Sequence, residues 1–263
     1  MKLLRAALDW IAFYFLLLVL GVSLLSWSCL AFVIRRLVSR ARGRRIGRRA
    51  VSWIFRRFFA LATALGVMRL ELDEISKLDQ RDALILAPNH PSVLDALILI
   101  SRLDNLTCIM KASLLDSIFL GAGARLAGYI RDDGPKSMLR LAADDLRRRS
   151  QIVIFPEGTR TIAAPVNEFK AGFAAIARSA GVPVQAVFIE TNTPYLSKGW
   201  SIFKKPPCFP MVYRVRLGQR FEVGDDPAAF AHQLRSYFMR ELADAELGDL
   251  RTVDPAMPSA SYG

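Results

Sequence analysis

Two hydrophobic patterns divide the chain. Residues 10–34 carry no formal charge and are rich in Leu, Phe and Val. As a helix at about 1.5 Å per residue, this run reaches roughly 37 Å, more than the ~30 Å of bilayer hydrocarbon, and so predicts a membrane-associated helix. It is too long for the apolar part of a cleaved leader, and an arginine-dense segment follows it where a small-residue cleavage site would stand. The next stretch, RRIGRRAVSWIFRRFFALATALGVM at residues 44–68, is amphipathic. On a helix, Arg45, Arg49, Ser52 and Arg56 share one side, while Ile54, Phe58, Leu61 and Leu65 share another. Such a helix either lies in the headgroup layer or packs its apolar side on the domain that follows.

Beyond residue 70 the pattern changes to short apolar runs alternating with helical periodicity. Strands are predicted at 83–87, 107–110, 151–155, 183–189 and 212–217, and helices at 91–101, 112–126, 135–149, 169–180 and 227–247. Pro91 and Pro135 stand where helices begin, and Gly181 where one ends. This rhythm predicts an α/β fold: a mostly parallel central sheet flanked by helices, preceded by N-terminal membrane-associated helices. The expected division is an anchoring segment at 1–70, a catalytic domain at 71–247 and a flexible tail at 248–263, which is rich in Pro, Ser and Ala.

Charge sharpens this division. The 263 residues are 52% hydrophobic, which excludes disorder, and carry a net +12. The first 70 residues hold thirteen Lys and Arg against one acid, Asp9, so all the excess lies there and the remainder is balanced. By the positive-inside rule, the cluster from Arg35 to Arg57 faces anionic headgroups and keeps that side cytoplasmic. A non-enzymatic membrane or RNA-binding adaptor is the competing reading of these arginines. They lie between two apolar segments, which argues against nucleic acid as a partner. Cys29, Cys108 and Cys208 are odd in number and far apart, suggesting neither a disulfide framework nor a zinc site; no metal is expected.

Two motifs carry chemistry. In PNHPSVLDA at residues 88–96, His90 is one of two histidines in the chain and Asp95 follows five positions later. With Pro91 opening a helix, His90 would stand at its amino end, where the dipole disfavours an imidazolium and favours a ring that can act as a base. Asp95 could accept from its other nitrogen, provided that His90 lies outside the helix. The other histidine, His232, falls in the C-terminal helix and reads as a surface residue. A base without a protein nucleophile activates a substrate hydroxyl, so the predicted chemistry is direct group transfer to an alcohol, with backbone N–H groups at the helix start steadying the oxyanion. In FPEGTR at residues 155–160, Gly158 permits close backbone approach, Arg160 offers a planar fork for phosphate or carboxylate, and Glu157 can orient hydroxyls or Arg160. Both motifs follow strands, at the sheet edge where ligands bind in such folds.

Asn89-His90 with Asp95, and Phe155 to Arg160 about sixty residues on, resemble the glycerolipid (lysophospholipid) acyltransferase family, whose best-known members are 1-acyl-sn-glycerol-3-phosphate acyltransferases. The likeness spans roughly residues 80–200 and includes Lys111, FKAG at 169–172 with Lys170, and VPVQAV at 182–187. The resemblance implies His90 as base with Asp95 as its partner, and Asn89, Lys111, Arg131, Glu157, Gly158, Thr159, Arg160 and Lys170 as substrate-binding residues. It also implies an acyl-CoA or acyl carrier protein thioester as co-substrate, no other cofactor, and membrane lipids and a lysolipid acceptor as partners. The implied location is the bacterial inner membrane, with the catalytic domain on the cytoplasmic side. The stretch GYIRDDGP at 128–135 departs from the family pattern: Arg131 comes early and two acids follow it. The acceptor is therefore foremost 1-acyl-sn-glycerol 3-phosphate, with a lyso-aminolipid or a polyene lipid precursor as alternatives.

Overall fold

The structure, a computed structural model, describes residues 2–249. Seven strands form one sheet: β1 (Met68–Glu71), β2 (Leu84–Pro88), β3 (Leu106–Lys111), β4 (Ile130–Asp132), β5 (Gln151–Val153), β6 (Val184–Thr191) and β7 (Met211–Phe221), in the order β1-β7-β6-β2-β5-β3-β4. All neighbours are parallel except β6 and β7, which run antiparallel. The predicted mostly parallel α/β architecture is what the chain forms. The short strands β1 and β4 escape the pattern because half or more of their 4 and 3 positions are charged, leaving no apolar run.

Strand β2, LILAP, is buried at every position because helices cover both sheet faces. Leu84 and Leu86 enter the core beneath α1 (Lys2–Leu37), α2 (Arg40–Ala64) and α4 (Leu94–Arg102), whereas Ile85 and Ala87 enter the opposite core. That second core is closed by α7 (Pro135–Leu146), α8 (Gly172–Ala180) and α9 (Pro227–Asp249). Gly181 ends α8 at φ +65, as its position predicted. The expected tail lies, from residue 250 onward, outside the described residues. The expected helix at 112–126 is instead two pieces, α5 (Ala112–Leu115) and α6 (Gly121–Ala127). At the break, Gly121 presses on the Leu115 carbonyl, where a side chain would collide.

Helix α2 departs from an interfacial helix with one arginine side. It buries Val51, Phe55, Phe59 and Ala62 against the domain, and Arg48 with them. The Arg48 guanidinium bonds both Asp145 oxygens at 3.0 and 2.8 Å, Asn105 Oδ1 at 3.0 Å, Ser150 Oγ at 2.8 Å and the Ala127 carbonyl at 3.0 Å. Ser52 and Arg56 both reach Asp104, at 2.8 and 2.9 Å. Arg45, Arg49 and Arg57 remain exposed. Helical periodicity alone does not reveal that acids 50 to 100 positions away would claim part of this basic face.

Helix α1 contains Ala7–Leu37, long and apolar enough to cross a membrane by length and composition. Phe13, Leu16, Trp27 and Ala31 are buried against the domain, while Leu8, Ile11, Leu18, Val22, Phe32 and Leu37 are exposed on other sides.

Candidate active site

The strands β2, β3, β5 and β6 point their carboxyl ends at one edge, and both motifs emerge there. After β2 the chain makes an irregular turn before α4 starts at Leu94, so His90 lies outside the helix and Asp95 in its first turn. His90 therefore precedes the helix instead of standing at its amino end as expected. Its partner is a carboxylate: His90 Nδ1 lies 2.9 Å from Asp95 Oδ2. The same Oδ2 accepts the Ser92 N–H at 2.7 Å. Asp95 is fully buried, and burial raises its carboxyl from 3.8 to about 6 against the opposing pull of the His90 hydrogen bond. With Nδ1 engaged, Nε2 is the ring nitrogen left for the cavity that His90 lines. The ring is stacked on Phe155, centroids 3.7 Å apart, so the second motif fixes its plane.

Glu157 joins the two motifs. One oxygen accepts from the His90 N–H at 2.9 Å and the Thr161 hydroxyl at 2.8 Å, the other from the Asn167 N–H at 2.9 Å. The Thr161 N–H returns to the His90 carbonyl at 2.8 Å. Glu157 is only 1% exposed and does not line the cavity, so it ties loops together: the hydroxyl it orients is that of Thr161, and its other bonds go to backbone N–H groups and not to Arg160. Asn89 likewise bonds inward, bridging β2 to β6 through the Ile189 carbonyl at 2.9 Å and N–H at 2.7 Å, and does not reach substrate space. Arg131 is drawn off by Asp116 at 2.8 Å and Asp133 at 2.7 Å, outside the cavity lining. Of the two acids that follow this arginine and made its motif atypical, Asp133 occupies it.

Gly158, Thr159, Arg160, Lys111 and Lys170 do line one cavity with His90, about 800 Å³ in volume. Arg160 is held by the Leu196 and Ser197 carbonyls, at 2.9 and 2.6 Å through Nη1. Gly158 adopts φ +66, and the Lys170 side chain passes over it so closely that a methyl group there would stand 3.0 Å from Nζ. The lining away from this mouth is hydrocarbon, including Leu16, Leu20 and Leu24 of α1, Phe55 of α2 and Leu97 of α4. A base, cationic side chains and a long apolar pocket thus share one space. The expected backbone oxyanion donors are not free: the N–H groups of residues 90, 92, 93, 94 and 95 all have partners, and Pro91 has none to give.

A family model described as Acyltransferase matches residues 69–190, the span holding both motifs. Over 233 residues the chain is 26% identical to the 1-acyl-sn-glycerol-3-phosphate acyltransferase of Pseudomonas aeruginosa, covering 86% of this chain and 85% of that one. Residues 69–190 are an acyltransferase domain, and the chain is similar to 1-acyl-sn-glycerol-3-phosphate acyltransferases over most of its length. A probable 1-acyl-sn-glycerol-3-phosphate acyltransferase of Mycoplasma pneumoniae is 33% identical over 117 residues, 40% of this chain and 43% of its own length. The crystal structure of the 1-acyl-sn-glycerophosphate acyltransferase of Thermotoga maritima shares the fold, with a TM-score of 0.65 across 94% of this chain and 98% of that one at 19% identity.

Several residues of this acyltransferase's site went unread in the sequence. Thr161 and Asn167 complete the Glu157 knot, and Lys198 reaches the cavity, where it is joined by Asp132, one of the two acids already noted after Arg131. Phe155 stood within the second motif, but its stacking on His90 has no sequence signal. His232, the remaining histidine, lies on α9, exposed and outside the cavity lining.

Proposed function

We propose that this acyltransferase moves a fatty acyl group from an acyl-CoA or acyl carrier protein thioester to the free hydroxyl of 1-acyl-sn-glycerol 3-phosphate, giving phosphatidic acid. The observation that carries this reading is the His90–Asp95 pair opening on a cavity whose mouth is cationic and whose depth is apolar. His90 Nε2 takes the hydroxyl proton while the oxygen attacks the thioester carbonyl, and Asp95 stabilises the imidazolium. When the tetrahedral intermediate collapses, the C–S bond breaks and His90 returns the proton to the leaving thiolate. Negative charge on the carbonyl oxygen develops beside Lys170 and Lys111, and the acceptor's phosphate meets Arg160. With purified protein in vesicles, thiol release should depend on lysolipid and should fall at least about 100-fold in His90→Ala, as expected for loss of a general base. Undiminished release in that variant rejects the assignment.

The membrane reading draws on α1. Tyr14 donates to the Phe203 carbonyl near one end of the helix, and Trp27 packs on Gly123 towards the other. A helix flanked by the domain along roughly 20 Å, at about 1.5 Å per residue, lies in one leaflet beside it and does not cross. The exposed arginines at the α1–α2 junction support assigning that leaflet to the cytoplasmic side of the bacterial inner membrane. A second acceptor class, a lyso-aminolipid, is favoured by Asp132 lining the cavity, where a cationic headgroup would find a partner. A panel of acceptors with and without phosphate or amine separates the two: Arg160→Ala should impair a phosphate-bearing acceptor most, and Asp132→Asn an amine-bearing one.

A further inference from the structure

Between β6 and β7 the chain runs from residue 192 to 210 with neither helix nor strand, a length that in a compact domain marks a functional loop or a disordered one. The base of this loop is held firmly. The Ser92 hydroxyl donates to the Tyr195 carbonyl at 2.9 Å, the Val93 N–H to the Leu196 carbonyl at 3.2 Å, and Arg160 to the Leu196 and Ser197 carbonyls at 2.9 and 2.6 Å. It is thereby tied to both motifs. Farther along, Lys198 and Ile202 line the cavity. The wall then runs out to the surface: Ile202 is 44% exposed and Phe203 70%.

This exposed tip borders α1. The Phe203 carbonyl accepts from the Tyr14 hydroxyl at 3.1 Å, and the Lys205 ammonium lies 4.9 Å from the centre of the Trp10 ring. At about 100° per residue, Trp10 and Tyr14 fall between Phe13 and Leu17, which line the cavity, and Leu18 and Val22, which are exposed. The tip therefore stands at the margin of the apolar face that α1 leaves open, and Ile202 and Phe203 extend that face. Charge agrees with this placement. Residues 192–210 hold Lys198, Lys204 and Lys205 and no acid, and none of the three lysines forms an ion pair among the described residues. Lys204 lies 4.4 Å from the centre of the Trp200 ring. Exposed apolar residues flanked by lysines that rest on aromatic rings suit a lipid surface, with the rings in the headgroup layer and the ammonium groups on lipid phosphates.

We propose that residues 200–205 form a second membrane contact, separate from α1, in which Ile202 and Phe203 enter the headgroup boundary of an anionic leaflet while Lys204 and Lys205 meet its phosphates. This rests on the reading that α1 lies in that leaflet, and deepens it by naming where the catalytic domain itself touches lipid. Because Ile202 is also cavity wall, the contact brings the cavity's edge to the leaflet, and a lysolipid passes along this loop to His90 without crossing water.

The full chain, carrying an environment-sensitive fluorophore on one thiol, is bound to anionic vesicles whose acyl chains bear a quencher. Cys108 stays unlabelled, since it is buried and its thiol is pushed up to about 12. Cys29, exposed on α1, reports the helix once Cys208→Ser removes the other accessible thiol. With Cys29→Ser added, Phe203→Cys reports the tip, and Ser179→Cys the far end of α8. The fluorophores at 203 and 29 should shift to the blue and be quenched, and that at 179 should stay in water. In vesicles without anionic lipid, quenching at 203 should drop while that at 29 holds; no drop overturns the part given to Lys204 and Lys205. A tip that stays in water while position 29 is quenched overturns the second contact and leaves α1 in lipid; no quenching at either removes the α1 reading as well. A tip shielded from an aqueous quencher before lipid is added belongs to an interface with a second copy of the chain, which also overturns the proposal. Phe203→Asp should raise KM several-fold for a lysolipid in bilayers and leave turnover of a short-chain, water-soluble acceptor unchanged. A quenched tip with unchanged KM in that variant keeps the contact and rejects the route; if neither acceptor is used by the parent, the acyl-transfer reading falls and quenching still decides the contact.

Discussion

Replacing Asp95 with Asn separates chemistry from stability at this site. Oδ2 alone receives both the His90 ring nitrogen at 2.9 Å and the Ser92 N–H at 2.7 Å, while Oδ1 is buried without a partner. An amide oxygen placed at Oδ2 keeps both contacts, and its NH2 falls where no acceptor waits. Leaving that donor unpaired costs about 1–3 kcal/mol. Against this, the buried carboxylate is itself unfavourable. A carboxyl raised from 3.8 to about 6 by burial binds its proton more tightly folded than unfolded, so its contribution to stability falls as pH rises through that interval. Above pH 6 the penalty is fully present, on the order of 3 kcal/mol, and a neutral amide at this position does not carry it. The two terms nearly cancel, so at pH 8 the variant should melt within a few degrees of the parent.

Activity should behave differently. Only a carboxylate stabilises the imidazolium formed when His90 takes a proton, and hydrogen bonds to charged groups contribute about 1.5–3 kcal/mol against roughly half that for neutral ones. The expected fall in kcat/KM, from that difference of about 0.75–1.5 kcal/mol, is about 4- to 13-fold at pH 8. Protonation makes the parent resemble the variant, so parental activity should also drop below pH 6, where Asp95 becomes neutral. Calorimetric melts and thiol-release rates from pH 5 to 9 test both halves. Asp95→Asn with full activity, or with activity lost only because the fold melts, refutes the reasoning.

Other variants probe how the site is held. Arg48→Ala leaves Asp145 buried with only the Thr107 hydroxyl at 2.6 Å, and should cost about 3–5 kcal/mol, lowering Tm by roughly 6–20 °C; Arg48→Met with Asp145→Leu should recover most of the loss. Glu157→Gln replaces an oxygen that now accepts from His90 N–H or Asn167 N–H with a donor, so kcat should fall with a Tm loss of a few degrees, whereas Thr161→Val, removing one of the three bonds, should do less. Gly158→Ala puts a side chain at φ +66 under Lys170 and should raise KM for the anionic acceptor several-fold, as the displaced ammonium leaves the mouth; an unchanged KM would show that Lys170 does not meet the acceptor.

What the sequence determined by itself was the local part of the design. The uncharged run of α1, the buried strand LILAP and the periodic helices follow from hydrophobic spacing, which every residue carries regardless of its distant neighbours. The two motifs were legible too, because His90, Asp95 and Arg160 are residue types with few other uses at strand exits. Tertiary structure decided which members face substrate. Asn89 and Glu157 were spent on bonds to Ile189, Thr161 and Asn167, and Arg131 on two nearby acids. Arg48 looked like its neighbours until the fold delivered Asp145 from 97 positions away. Pairing energy depends on distance in space, and that is what a linear pattern does not contain.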